Sequence, residues 1–249
     1  MDKATTIGLL VGVGGILLGN VIEGGHISSL MQVTAGLIVL SGTIGAVMVS
    51  NPWKDLALGF ELLKKAFNEK DQEQDQQVIR EIVECTRTVK KESVIALEGQ
   101  FSRIQNPFFK KILRNVIDGI DPEIIRDIFE TEIEAEEEKL IAGAKIWMDA
   151  GGFSPTIGII GAVLGLIHVM GNLTDTSKLG AGIAVAFVAT VYGVGFANLI
   201  FLPIGNKIKK RIHENTRSRR LVLEGALLIN SGLSSNVVDQ RLRAHLVEA

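Results

Sequence analysis

Thr156, Thr190 and Tyr192, with Ser41 and Thr43 nearby in type, are the polar groups that lie deep in the apolar parts of this chain. All five are hydroxyls. A hydroxyl can hydrogen-bond a carboxylate or replace part of an ion's hydration shell, but it does not titrate near neutral pH. Ionisable residues inside apolar runs usually mark ion and proton pathways. Here residues 4–22, 27–53, 150–174 and 179–206 contain no Asp, Glu, Lys or Arg at all. His168 is the one titratable side chain among the deep candidates, and its place near the far end of the third run reads as interfacial. The chain therefore lacks the acid that a proton carrier needs. If it conducts an ion, that acid must come from a partner helix.

The elements that would hold these hydroxyls are membrane helices. An uncharged run above about 18 residues is long enough to span a bilayer, and four such runs are present. The first carries Gly8, Gly12, Gly15 and Gly19 on one face, a stripe that lets helix backbones approach closely in lipid. Its GVGGILLGN stretch is no phosphate loop, because no Lys-Ser/Thr follows and no strand precedes it. It has no small-residue cleavage site and is read as a retained helix. Asn51-Pro52 closes the second run. The third and fourth, joined by the short polar turn at residues 171–175, form a hairpin from Pro155 to Pro203. Small residues share faces on both: Gly158, Gly161, Ala162 and Gly165 on one, Gly182, Ala186, Ala189, Gly193 and Ala197 on the other. Such faces suit close packing, either around a foreign helix or within the unit.

Residues 54–149 differ completely. They are charged and amphipathic, with helical periodicity over 77–96 and 106–118. Asp121-Pro122-Glu123 is a helix start, with Asp as cap and Pro in the first turn; the helix it opens runs acidic over 130–138 toward the third span. Residues 70–77 read as a polar loop or helix start. Cys85, the single cysteine, falls at helical spacing with Val78, Ile82 and Val89 and reads as a packed thiol. A basic cluster, Lys207 to Arg220, follows the fourth span, and helical segments at 221–229 and 237–247 close the chain. With 47% hydrophobic residues, a mean hydropathy of +0.30 and a net charge of −2, the composition argues for a membrane protein and against a nucleic-acid partner. Lys54, Lys64 and Lys65 after the second span, and the basic cluster after the fourth, put both termini and the charged insertion in the cytoplasm. The fold class is all-α: membrane spans at 1–53 and 150–206, a helical cytoplasmic domain at 54–149, and a cytoplasmic tail at 207–249.

This arrangement resembles the MotA/PomA flagellar stator subunits of the MotA/TolQ/ExbB proton channel family. The resemblance covers essentially the whole chain and is carried by SPTIGIIGAVLGLIHVMGNL, AVAFVATVYGVGFANLIFLPI and RRLVLEGAL. It implies a non-enzymatic subunit of the bacterial inner membrane, with no cofactor or metal, in a closed homo-oligomeric ring of roughly five copies. The ring would surround a dimer of a single-span MotB-type partner whose aspartate carries the ion. Thr190 corresponds to the threonine facing that aspartate, and Pro155 and Pro203 to the prolines that couple ion passage to movement. Ala162 and Ala189 stand where sodium-driven relatives have threonines, so H+ is favoured over Na+ as the transported ion. Thr156 and Tyr192 complete the expected pathway. Lys90, Lys91 and Glu98 in TVKKESVIALEG correspond to the contact with the rotor protein FliG. On one helix Lys90 and Glu98 would lie about 12 Å apart on one face. The rival is a TolQ/ExbB-type energiser of envelope transport, which typically has three spans. A self-contained transporter is disfavoured by the missing intramembrane charge and by the absence of an inverted repeat.

Overall fold

The computed structural model describes residues 3–66, 73–171, 173 and 176–247. In order these form α1 (Lys3–Ile22), α2 (Ile27–Leu30), α3 (Val33–Ser50), α4 (Trp53–Ala66), α5 (Glu73–Lys91), a 3-10 helix (Val94–Gln100), α6 (Pro107–Ile117), α7 (Pro122–Met170), α8 (Thr176–Phe196), a π-helical turn (Ala197–Phe201), α9 (Leu202–Ile229) and α10 (Ser235–Val247). No strand occurs among the described residues. Four helical stretches are long and apolar enough to cross a membrane. Part of the polar 70–77 segment and of the 171–175 turn lies outside the described residues.

The chain forms two compact units, residues 1–69 with 140–210 and residues 70–139 with 211–249. By packing, α4 and residues 140–149 belong to the first unit and residues 211–247 to the second, so the packing units do not coincide with the expected membrane and cytoplasmic segments divided at 53, 149 and 206.

In the first unit α3 buries Ala35, Val39, Thr43 and Val47, one residue per turn. Ala35 and Val39 pack against Val188, Ala189, Tyr192 and Phe196 of α8 and its end. Val47 packs with Leu56, Ile146 and Ala150. The helices α7 and α8 touch backbone to backbone. A Cβ on Gly193 would lie 2.7 Å from the Ser154 carbonyl oxygen and 3.0 Å from Gly158 Cα. Beyond it, Gly161 faces the Ala189 methyl and Gly165 faces Ala186. The small faces of the hairpin are thus consumed by packing on each other. In lipid, where burial of apolar surface gives little drive, this close approach supplies the dispersion contacts. The helix α4 docks on α7 in a similar way: the Trp147 indole donates to the Gly59 carbonyl at 3.0 Å, and its ring meets Phe60 edge-on.

Two prolines interrupt the long helices differently. Pro155 sits inside α7 and offers no N–H to the Gly151 carbonyl four residues back. Pro203 would likewise leave the Leu199 carbonyl without a donor and push its ring into it. The π-helical turn just before it absorbs that clash, closing with the Leu202 N–H on the Ala197 carbonyl. The helical path therefore does not stop at Pro203; it resumes as α9 and runs to Ile229.

The second unit has an ordinary aliphatic and aromatic core. Val78, Ile79, Ile82 and Cys85 of α5, Phe109, Ile112 and Leu113 of α6, Ile125, Phe129 and Ile133 of α7, Leu223 and Ala226 of α9, and Val238 and Leu242 of α10 are all buried there. The Asn106 side chain caps α6 by accepting from the N–H groups of Phe108 and Phe109, and the Asp121 carboxylate accepts from Glu123 N–H at the start of α7, as its sequence predicts. Gly119, at φ 73°, ends α6 with the Ile120 N–H bonded to the Asn115 carbonyl, the turn that only glycine adopts without strain. Above this core the acidic stretch of α7 lies along the basic stretch of α9. Glu130 pairs with Arg220 at 3.4 Å, Glu136 with Arg219, and Glu137 with His213 at 2.9 Å.

Candidate functional site

The expected pathway residues divide into two groups. Ala189 is wholly buried against Gly161 and the α3 face, so its methyl is packed inside this chain. Tyr192 is also spoken for. Its hydroxyl donates to the Leu30 carbonyl at 2.6 Å and lies 3.3 Å from the Gln32 N–H. Those two backbone groups flank the break between α2 and α3, which divides what the sequence reading treats as one run over 27–53. The phenol thus satisfies a helix interruption, which accounts for its polar group without an ion path. The reason is positional: Tyr192 lies on the face of α8 that packs on α3.

Thr190, Ala162 and Thr156 keep their access. Thr190 is half-buried, and its Oγ1 donates to the Ala186 carbonyl at 3.3 Å. That leaves its lone pairs turned toward whatever lies alongside. Thr156 is exposed and donates to the Phe153 carbonyl at 2.7 Å, one residue from the proline. Around them the outward faces are apolar: Ile159, Ile160, Val163, Leu164 and Ile167 on α7, Phe187, Val191 and Val194 on α8. Two hydroxyls within such a face fit a surface that meets another apolar helix at a few polar points. The face itself supplies no titratable Asp, Glu, Lys or Arg.

The second candidate region lies in the other unit. Lys90, Lys91 and Glu98 are all exposed, but they do not share a helix. The helix α5 ends at Lys91, Ser93 is fully extended at φ −170° and ψ 169°, and Glu98 rides on the 3-10 helix that follows. The break turns Leu97 into the core, where it is completely buried. That burial decides the geometry: a helix continued through residue 100 would not deliver Leu97 to the same place. The 12 Å same-face spacing does not apply. Lys91 instead opens onto a cleft of about 750 Å³ between α5 and α10, lined also by Arg80, Glu84, Arg87 and Asp239. Cys85 is no reactive group, since burial, reinforced by Glu84 and Glu81, pushes its thiol up to about 12. Among the described residues no cluster of three His, Cys, Asp or Glu could hold a metal.

The sequence signals missed two features. The α2–α3 break follows from no Gly or Pro at residues 31–32. The pairing of acidic 130–138 with basic 211–220 was foreshadowed by their opposite charge, though charge alone does not specify partners.

Comparison with known proteins places the whole arrangement. Residues 100–220 match the MotA/TolQ/ExbB proton channel family, and residues 6–93 match the motility protein A N-terminal family. Motility protein A of Bacillus subtilis is 33% identical over 246 residues, spanning 99% of this chain and 91% of that protein. Chemotaxis protein PomA of Vibrio alginolyticus is 32% identical, over 100% and 96%. Among solved structures, MotAB of C. jejuni superposes with a TM-score of 0.90 at 28% identity, covering 98% of this chain and 96% of that one. The flagellar MotAB stator complex of Bacillus subtilis gives 0.88 at 33% identity, covering 97% and 94%.

Proposed function

The chain belongs to the MotA/TolQ/ExbB proton channel family, as a motility protein A, and from that premise we propose how it works as a flagellar stator subunit. It is a multi-pass membrane subunit that assembles with a MotB-type partner and turns ion flow into torque. The observation that carries this reading is a full-length match to MotAB stators in a chain whose four spans hold no carboxylate of their own. The partner's membrane aspartate supplies the missing acid, and the outward face of α7 and α8 receives the partner helix. Thr190 presents its hydroxyl to that aspartate, and Thr156 and Ala162, neither of them buried, belong to the same pathway.

The transported ion is H+. A dehydrated Na+ needs several oxygen ligands, and Ala162 and Ala189 offer none where sodium-driven relatives carry hydroxyls. Loading and unloading the partner acid changes the charge against the α7–α8 hairpin. Pro155 and Pro203, each at a gap in the helical hydrogen bonding, are where that change becomes a bend. The helix α7 continues from the second unit into the first without another interruption, so a bend at Pro155 acts on the segment carrying Phe129 and Ile133. Lys90, Lys91 and Glu98 meet FliG, now as a corner formed by the end of α5 and the 3-10 helix. Roughly five copies close a ring around the partner dimer in the inner membrane, with both termini cytoplasmic and lipid against the exposed apolar faces.

Swimming speed measured against external sodium, and separately against a protonophore, tests the ion. Speed independent of sodium and abolished by the protonophore is expected; a strict sodium requirement overturns the H+ assignment. Normal swimming of a deletion strain, with a defect in envelope uptake, would move the chain to the TolQ/ExbB-type role.

A further inference from the structure

Two hydroxyls in the first unit are buried without a partner. Ser154 is 0% exposed and Thr43 is 1% exposed, and neither Oγ has a hydrogen bond to any described residue. A serine or threonine in a helix ordinarily turns its hydroxyl back onto the carbonyl three or four residues earlier. Ser41, Ser50, Thr156 and Thr190 all do so in this unit. Thr43 and Ser154 do not, although leaving a buried hydroxyl unpaired costs about 1–3 kcal/mol.

The helix register places these two groups at one depth. On α3, Gly42 packs against Ile157 and Val47 packs with Ala150. Thr43 belongs to the same buried face as Val47, one turn away. Its level on α7 therefore falls between Ala150 and Ile157, which is where Ser154 stands. A third polar group joins them. Gly151 is one turn before Ser154 on the same side of α7, and its carbonyl has lost its helical donor to Pro155.

We propose that Thr43 Oγ1, Ser154 Oγ and the Gly151 carbonyl form an enclosed hydration site that binds ordered water beside the Pro155 break. A buried water typically makes about three hydrogen bonds to groups the protein leaves unsatisfied, and three such groups stand at this level of the unit. Water is suited to this position in a way a side chain is not. It can exchange partners as the helix bends, so the Gly151 carbonyl stays bonded in both the straight and the bent state. The site is internal to one subunit and does not depend on which ion drives the motor.

The test uses the full chain assembled with its partner, carrying T43V, S154A or both. Each single change strands the water on two of its three contacts and lowers the thermal midpoint by roughly 2–4 °C. The double variant falls no further than the worse single one, because the two residues share one ligand. Single changes that each raise the midpoint, with the rises adding, mean that the hydroxyls are dry and overturn the proposal. So do two changes that leave it unmoved. Should a variant fail to assemble, a high-resolution map of the unaltered complex decides: density for a water within hydrogen-bonding reach of both oxygens is expected, and an empty site rejects it.

Discussion

Where α7 meets α8 in the first unit, nothing larger than a hydrogen atom separates the backbones at Gly158 and Gly193. Where α7 meets α9 in the second, long charged side chains reach across, Glu136 to Arg219 and Glu137 to His213. One long helix is thus gripped by two contrasting means along its length. The first contact is pure shape, and its strength lies in the absence of side chains. The second rests on a buried apolar core, with exposed ion pairs along its rim that contribute little each. Close backbone contact tolerates no added atom, whereas a rim of ion pairs tolerates the loss of any one.

The largest expected effect follows from that intolerance. Gly193→Leu drives a side chain into the Ser154 carbonyl, a backbone group that cannot move aside, and should abolish recovery of assembled complex from membranes. Normal yield would show that the hairpin is looser than its geometry. Next comes the core of the second unit: Phe109→Ala leaves a cavity and should cost about 3–5 kcal/mol, read as a lowered unfolding midpoint. Tyr192→Phe removes the bond to Leu30 and should cost about 1–3 kcal/mol while swimming persists in the surviving complexes. Lost motility at unchanged stability would return the phenol to the ion path. Arg219→Gln breaks one partly exposed pair, and a stability change of about 0–1 kcal/mol is expected. The smallest structural effect belongs to Thr190→Ala, which should leave assembly unchanged yet slow or stop swimming. Full torque in that variant would remove the hydroxyl from the ion path.

The sequence showed most where one kind of information decided the outcome. Uncharged length defined the spans, the Asp121-Pro122-Glu123 cap opened α7, and helical spacing with Val78 and Ile82 buried Cys85. It failed where a tertiary contact outweighed local pattern. The periodicity of residues 77–96 continues past Lys91, but the core's demand for Leu97 breaks the helix there. Ala189 and Tyr192 share a helix with Thr190, and only the docking of α3 shows which of them face inward. The partner-facing role of Thr190 came from family resemblance, since one threonine in an apolar helix carries no such message by itself. The site at Thr43 and Ser154 was invisible for a related reason, because an unpaired hydroxyl is a property of packing.

The π-helical turn at Ala197–Phe201 has a meaning for phase. Each residue advances an α-helix by about 100°, and a π turn takes in one residue more than an α turn does. Everything after Leu202 is consequently rotated by about that angle relative to an uninterrupted continuation of α8. Within the first unit that phase sets Leu202 against Gly151 and Gly205 against Met148 of α7. The turn acts as a gear offset cut into a single rod. Deleting one residue within it would leave the helix intact and turn Leu202 and Gly205 away from those partners.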